Sequence, residues 1–147
     1  LLWKKAFGYE ADHNAPELVI GKKLEINDDL FFVAIVDQSV VGTVMAGYDG
    51  HRGWIYSIAV SSDYRKRGLG STLLSFAEEK LLNIGCMKIN LQIMAGNEPV
   101  ERFYLSNGYQ TENRISMGKK LKQNIKKTEP IIPVGSQDKE SFDINKK

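Results

Sequence analysis

Between Leu30 and Val60 the sequence carries three apolar runs with little between them. Leu30–Val36 holds Phe31-Phe32-Val33-Ala34-Ile35-Val36, and Val40–Tyr48 follows the turn Asp37-Gln38-Ser39. Trp54–Val60 follows a second turn, Asp49-Gly50-His51-Arg52-Gly53. Short runs rich in β-branched and aromatic residues, joined by turn residues, predict an antiparallel meander. The apolar residues are consecutive, not alternate. Both faces of such a sheet must therefore be covered, and helices are the natural cover.

Helical periods occur where that cover is needed. Leu69–Ile84 places Leu69, Leu73, Leu74, Ala77, Leu81 and Ile84 on one face and Ser71, Thr72, Ser75, Glu78 and Glu79 on the other. Gly85 stands where a left-handed cap belongs. Upstream, Leu2, Trp3, Ala6 and Phe7 suit a helix that stops at Gly8, and Pro16 opens a second helix reaching about Ile26. Downstream, Met87–Ile93 reads as a strand. Asn97 is placed to cap a short helix bearing Val100, Phe103 and Tyr104, which stops at Gly108. Tyr109–Thr111 and Ile115–Leu121 read as two final strands. The order α-α-β-β-β-α-β-α-β-β predicts a mixed α/β (α+β) domain over residues 1–121. From 122 to 147, Pro130, Pro133, Gly135 and Ser136 lie among scattered charges without a period, which predicts a poorly ordered tail or linker.

Composition narrows the chemistry. A single cysteine, Cys86, excludes an internal disulfide, and two histidines, His13 and His51, argue against a metal centre. No apolar stretch is long enough to cross a membrane. The formal net charge of +2 comes from the tail, because residues 1–121 hold 14 basic and 14 acidic side chains. A nucleic-acid binder would carry its excess on the folded part, so no nucleic-acid partner is expected. A reducing, cytoplasmic setting is the default for a chain with one thiol and no visible secretory signal.

The densest chemical signal is Tyr64-Arg65-Lys66-Arg67-Gly68-Leu69-Gly70-Ser71, between a strand end and a helix start. A helix N-terminus already presents unpaired N–H donors and partial positive charge. Three cations there have the wrong sign for helix stability, by roughly 0.3–1 kcal/mol each. A bound polyanion such as a pyrophosphate explains them, and Gly68 and Gly70 would let backbone N–H groups approach it. A solvated basic turn is the competing reading. The spacing fits neither Gly-x-x-x-x-Gly-Lys-Ser/Thr nor Gly-x-Gly-x-x-Gly.

Arg65-x-x-Gly68-x-Gly70 after Ile55-Tyr56-Ser57-Ile58-Ala59-Val60, followed by Asn97, Phe103-Tyr104 and Gly108-Tyr109, resembles the GNAT-type N-acetyltransferase superfamily. Gly42–Gly53 is similar to small bacterial members, uncharacterised or ribosomal-protein-acetyltransferase-like. The resemblance covers roughly residues 1–121. It implies the acyl-CoA N-acyltransferase fold: a meander, a splayed parallel strand pair, and helices on both faces. It also implies acetyl-CoA as co-substrate and no metal. Arg65, Lys66, Arg67, Gly68, Leu69, Gly70 and Ser71 would wrap the pyrophosphate. Ile58, Ala59 and Val60 would pair with the pantetheine arm, and a backbone N–H near Ile58–Ala59 would polarise the thioester carbonyl. Asn97 would contact the arm, and Tyr104 would protonate the departing thiolate. A non-catalytic acyl-CoA-binding regulatory module on the same fold is the alternative.

The general base is not legible. Trp54, Ile55, Tyr56 and Ser57 lack the carboxylate many relatives carry there, leaving Glu10, Asp12, His13, Asp49 and His51 as candidates or a relayed water. The acceptor, a small-molecule or peptide amine, would bind among residues 8–29, the 49–53 turn and the final strand pair. Against the family pattern, the first strand and the opening of the first helix are missing. That implies an N-terminally truncated domain whose Leu30–Val36 edge is exposed, which a second copy in a homodimer could cover.

Overall fold

The structure, a computed structural model, describes residues 2–8 and 14–121. The chain divides into two compact units, Leu1–Thr111 and Glu112–Lys147. The second begins before the expected limit at 121, and residues 122–147 lie outside the described residues. In the first unit the order is α1 (Leu2–Phe7), α2 (Pro16–Ile26), β1 (Phe31–Val36), β2 (Ser39–Tyr48), β3 (Gly53–Val60), a 3-10 turn (Ser62–Tyr64), α3 (Leu69–Asn83), β4 (Ile89–Leu91) and α4 (Glu98–Ser106). One mixed sheet runs β1-β2-β3-β4. The first two pairings are antiparallel, and β3 pairs with β4 in parallel.

The doubly apolar strands are covered on both sides. On one face Leu30, Val44, Ala46 and Ile55 pack with Leu73, Leu74, Ala77 and Leu81 of α3, with Cys86 and with Tyr104 of α4. On the other, Met45 and Ala59 meet Trp3, against which Leu2, Ala6, Val19, Ile20 and Phe31 pack. Trp3 Nε1 donates to Thr43 Oγ1 at 2.7 Å, so a buried polar atom on this face is satisfied. Val44, Leu74 and Leu81 are fully buried. Truncating either leucine to alanine would cost about 2–5 kcal/mol.

Helix α3 ends as its sequence predicts. Gly85 is left-handed (φ 95°), with Gly85 N–H on the Leu82 carbonyl and Cys86 N–H on the Leu81 carbonyl. Two expectations change. Strand β4 covers only Ile89–Leu91 instead of Met87–Ile93, and Met87 is 92% exposed. Tyr109–Thr111 and Ile115–Leu121 are not strands. Among the described residues the sheet has no strand beyond β4, and Ile115 and Met117 are over 90% exposed. Among the described residues no strand pairs with the outer side of β1, and Val33, Ile35 and Val36 are exposed.

Candidate active site

Strands β3 and β4 pair only from Gly53↔Ile89 to Ile55↔Leu91. Beyond Ile55, β3 runs on to Val60 while β4 stops, so the two splay. On its other side β3 stays paired with β2 in the register Gly42↔Val60, Thr43↔Ala59, Val44↔Ile58. Ser61 N–H bonds the Val41 carbonyl at 2.8 Å. The alternation of an antiparallel ladder then turns the Ala59 backbone toward β2 and the N–H and C=O groups of Ile58 and Val60 toward the open gap. Of the three expected residues, Ile58 and Val60 present backbone to the gap, and Ala59, 2% exposed, lies in the ladder.

The register of β3 also shifts, because Met45 faces Ser57 while Ala46 faces Ile55. Tyr56 is therefore the extra residue of a bulge, more than half exposed, its ring over Gly47. Burial raises its phenol pKa, and the charges of Asp28 and Asp49 raise it further. No sequence signal marks the bulge. Beside it, the buried Lys23 ammonium donates to the Asp28 carboxylate and the Ala46 carbonyl. A lysine inside an otherwise ordinary helix gave no hint of this.

At the end of β3 the chain turns through Ser62–Tyr64 into the basic corner. Arg65 Nε donates to the Val60 carbonyl at 3.0 Å, tying the corner to the gap's edge. Arg67 stacks over the Tyr64 ring at 5.6 Å. Lys66 is left-handed at φ 58°, and Gly68, the N-cap of α3, at φ 81°. The N-cap residue of α3, a glycine, offers no capping side chain, and the first turn holds no acid. The first N–H groups, Leu69 to Ser71, thus sit at an uncapped, cation-flanked terminus.

The two glycines differ. A Cβ at Gly68 would meet open space, so its need is the positive φ. A Cβ at Gly70 would stand 3.2 Å from Phe103 Cε2 and 3.4 Å from Cζ. Side-chain space at Gly70 is taken by an aromatic ring, so what this residue can offer an anion is its backbone N–H.

Tyr104 lies on α4, 8% exposed, its ring 5.1 Å from Phe103 and 5.4 Å from Tyr109. Burial pushes its pKa up to about 12. Tyr109 O–H donates to Glu78 at 2.8 Å; burial, and then that bond, raise its pKa strongly. Asn97 occupies the N-cap position of α4, but its side chain makes no capping bond. At φ −85° and ψ 63° its backbone departs from the extended geometry a capping side chain needs.

Of the base candidates, Glu10, Asp12 and His13 lie outside the described residues. Asp49 accepts from the backbone of Arg52 (2.6 Å) and His51 (2.8 Å). Those bonds lower its pKa, with a smaller effect from the Trp54 side chain, so it holds a turn and is a weak base. His51 is exposed on the same turn. Cys86 is buried with its thiol toward the Lys88 carbonyl at 3.3 Å. Among the described residues, no group of three or more His, Cys, Asp or Glu could hold a metal ion, and no helix is long and apolar enough to cross a membrane.

A model described as the acetyltransferase (GNAT) family matches residues 2–109. An acetyltransferase of Yersinia pestis (strain Pestoides F) is 44% identical over 108 residues, covering 74% of this chain and 77% of the relative. An acetyltransferase of Pectobacterium atrosepticum matches at the same identity and coverage. Among solved structures, an aminoglycoside N-acetyltransferase, AAC(6')-Iy in complex with CoA, superposes with a TM-score of 0.65 at 19% identity, over 81% of this chain and 84% of its own. The NatC complex bound to Gag peptide and CoA superposes at 0.59 and 24% identity, over 70% and 71%. At those identities the structural likeness is one of fold. The family match and the 44% identical relatives carry more: the chain belongs to the acetyltransferase (GNAT) family.

Proposed function

We propose that the chain transfers the acetyl group of acetyl-CoA directly to a primary amine within a ternary complex. The observation that carries this reading is the joining of the β3–β4 gap, through Arg65 and Val60, to an uncapped basic helix terminus. Arg65, Lys66 and Arg67, with the N–H groups of Leu69 to Ser71, hold the pyrophosphate. Ile58 and Val60 bond the pantetheine arm along the open edge of β3. The Ile58 N–H, fixed before reaction, stabilises negative charge developing on the thioester oxygen. The amine nitrogen attacks the carbonyl carbon, the C–S bond breaks, and the Tyr104 phenol gives its proton to the departing sulfur. The amine's surplus proton leaves to water, and the Tyr104 phenolate takes a proton back from water, so the enzyme returns to its starting state. A phenol with its pKa near 12 stays protonated across neutral pH, as a donor must.

Direct attack needs no enzyme nucleophile, consistent with the buried Cys86. With no carboxylate on the solvent-facing part of β3, an amine that is already partly neutral is favoured. An N-terminal α-amine, pKa about 8, qualifies far better than a lysine at about 10.4. Fold neighbours solved with sisomicin and with a peptide span both acceptor kinds.

The test is thiol release from acetyl-CoA with a panel of small amines and peptides, and mass spectrometry of the products. Amine-dependent release with an N-acetylated product is the expected result. Tight coenzyme binding without release for any amine would make the chain a binding module.

A further inference from the structure

Helix α4 has one buried residue, Tyr104; Val100 and Leu105 are 37% and 48% exposed. Its seat depends on aromatic rings. Tyr104 is flanked by Phe103 and Tyr109, and Tyr109 is tied to Glu78 of α3. Phe103 makes the other link. Its Cε2 and Cζ lie 3.2 and 3.4 Å from where a methyl on Gly70 would stand, and Val60 Cγ2 lies 3.8 Å from the same point. The ring therefore enters the corner where β3 ends and α3 begins. Gly70 has no positive φ, so the backbone does not require glycine there. The ring does.

We propose that Phe103 is a positioning residue for Tyr104: its ring seats in the notch at Gly70 and fixes the distance from the Tyr104 hydroxyl to the basic corner. This rests on Tyr104 as the proton donor. A methyl at Gly70 would fit the helix but push the ring by a few tenths of an ångström, and Tyr104 is the next residue on α4. Small misplacements of reacting groups are costly in turnover, and coenzyme affinity, held by the backbone and cations of the corner, would be spared.

The experiment compares Gly70→Ala, Phe103→Leu and the double variant in the full chain. The readouts are coenzyme A affinity by calorimetry, kcat and KM by thiol release, and the Tyr104 ring resonances of tyrosine-labelled protein without ligand. Gly70→Ala is expected to hold coenzyme affinity within about threefold, lower kcat about tenfold and displace the Tyr104 resonances. The smaller leucine in the double variant should bring kcat and resonances back toward those of Phe103→Leu alone. Lost coenzyme affinity with unmoved Tyr104 resonances would overturn the proposal and assign the side-chain space at Gly70 to the anion instead of the Phe103 ring. So would a double variant with no recovery. Should the unaltered chain bind no coenzyme, or Tyr104→Phe keep full turnover, the functional reading falls instead. The resonances, which need no ligand, still decide whether the notch holds Tyr104.

Discussion

Helices α3 and α4 begin in opposite ways. Helix α4 has Glu98 and Glu101 in its first turn, the sign the helix dipole favours, and Glu98 pairs with Arg102 at 3.2 Å. Helix α3 has no acid in its first turn, no capping side chain, a left-handed glycine at its N-cap and three cations just before it. Neither N-cap makes a side-chain bond, so the difference is one of charge. One terminus is complete by itself. The other is arranged against its own stability, and an anion would complete it.

The largest way to break this contrast is to remove the cations. Replacing Arg65, Lys66 and Arg67 together by alanine should weaken coenzyme A binding at least about a hundredfold by calorimetry, since hydrogen bonds to charged groups contribute roughly 1.5–3 kcal/mol each. Melting temperature should hold or rise. An equal fall in stability and affinity would make the corner merely structural.

Tyr104→Phe should lower turnover about tenfold or more while coenzyme affinity stays unchanged, because the phenol acts only on the leaving sulfur. The same variant carries a pH signature. The folded pKa, near 12, lies above the unfolded value of about 10. The unfolded chain loses this proton first, so stability is retained below pH 10 and falls between 10 and 12, by on the order of 2–3 kcal/mol. Urea titrations across that range should show a shallower fall in the phenylalanine variant.

A smaller test gives α3 what α4 has. Ser71→Glu adds an acid to the first turn and should stabilise the fold by about 0.3–1 kcal/mol. It should also weaken coenzyme binding about tenfold by repelling the diphosphate. The smallest effect is at α4, where Glu98→Gln should cost about 0.3–1 kcal/mol in denaturant melts and leave coenzyme affinity alone.

Legibility divides along the same physical lines. The strands β1 to β3 and helix α2 were readable because apolar runs, turn residues and Pro16 act locally. So was the end of α3, where Gly85 serves a backbone need. The bulge at Tyr56 was not, because it depends on pairing between β2 and β3 and leaves the residue pattern ordinary. Ile115 and Met117 alternate like strand residues yet form none, because alternation alone does not supply the partner a strand needs. At the candidate site, the basic corner was legible from residue type and spacing, whereas Tyr104 was singled out only by the resemblance to the family. The division of labour between Gly68 and Gly70 was not, because two glycines look alike until the ring of Phe103 is seen beside one of them.

On the reading proposed above, the corner at 65–71 and the gap beyond Ile55 hold a coenzyme. Calorimetric titration of the intact chain with coenzyme A, at low and physiological salt, tests it most directly. Saturable one-to-one binding that weakens as salt rises is the predicted result. No heat and no saturation at either salt, from a chain shown to be folded, would contradict it.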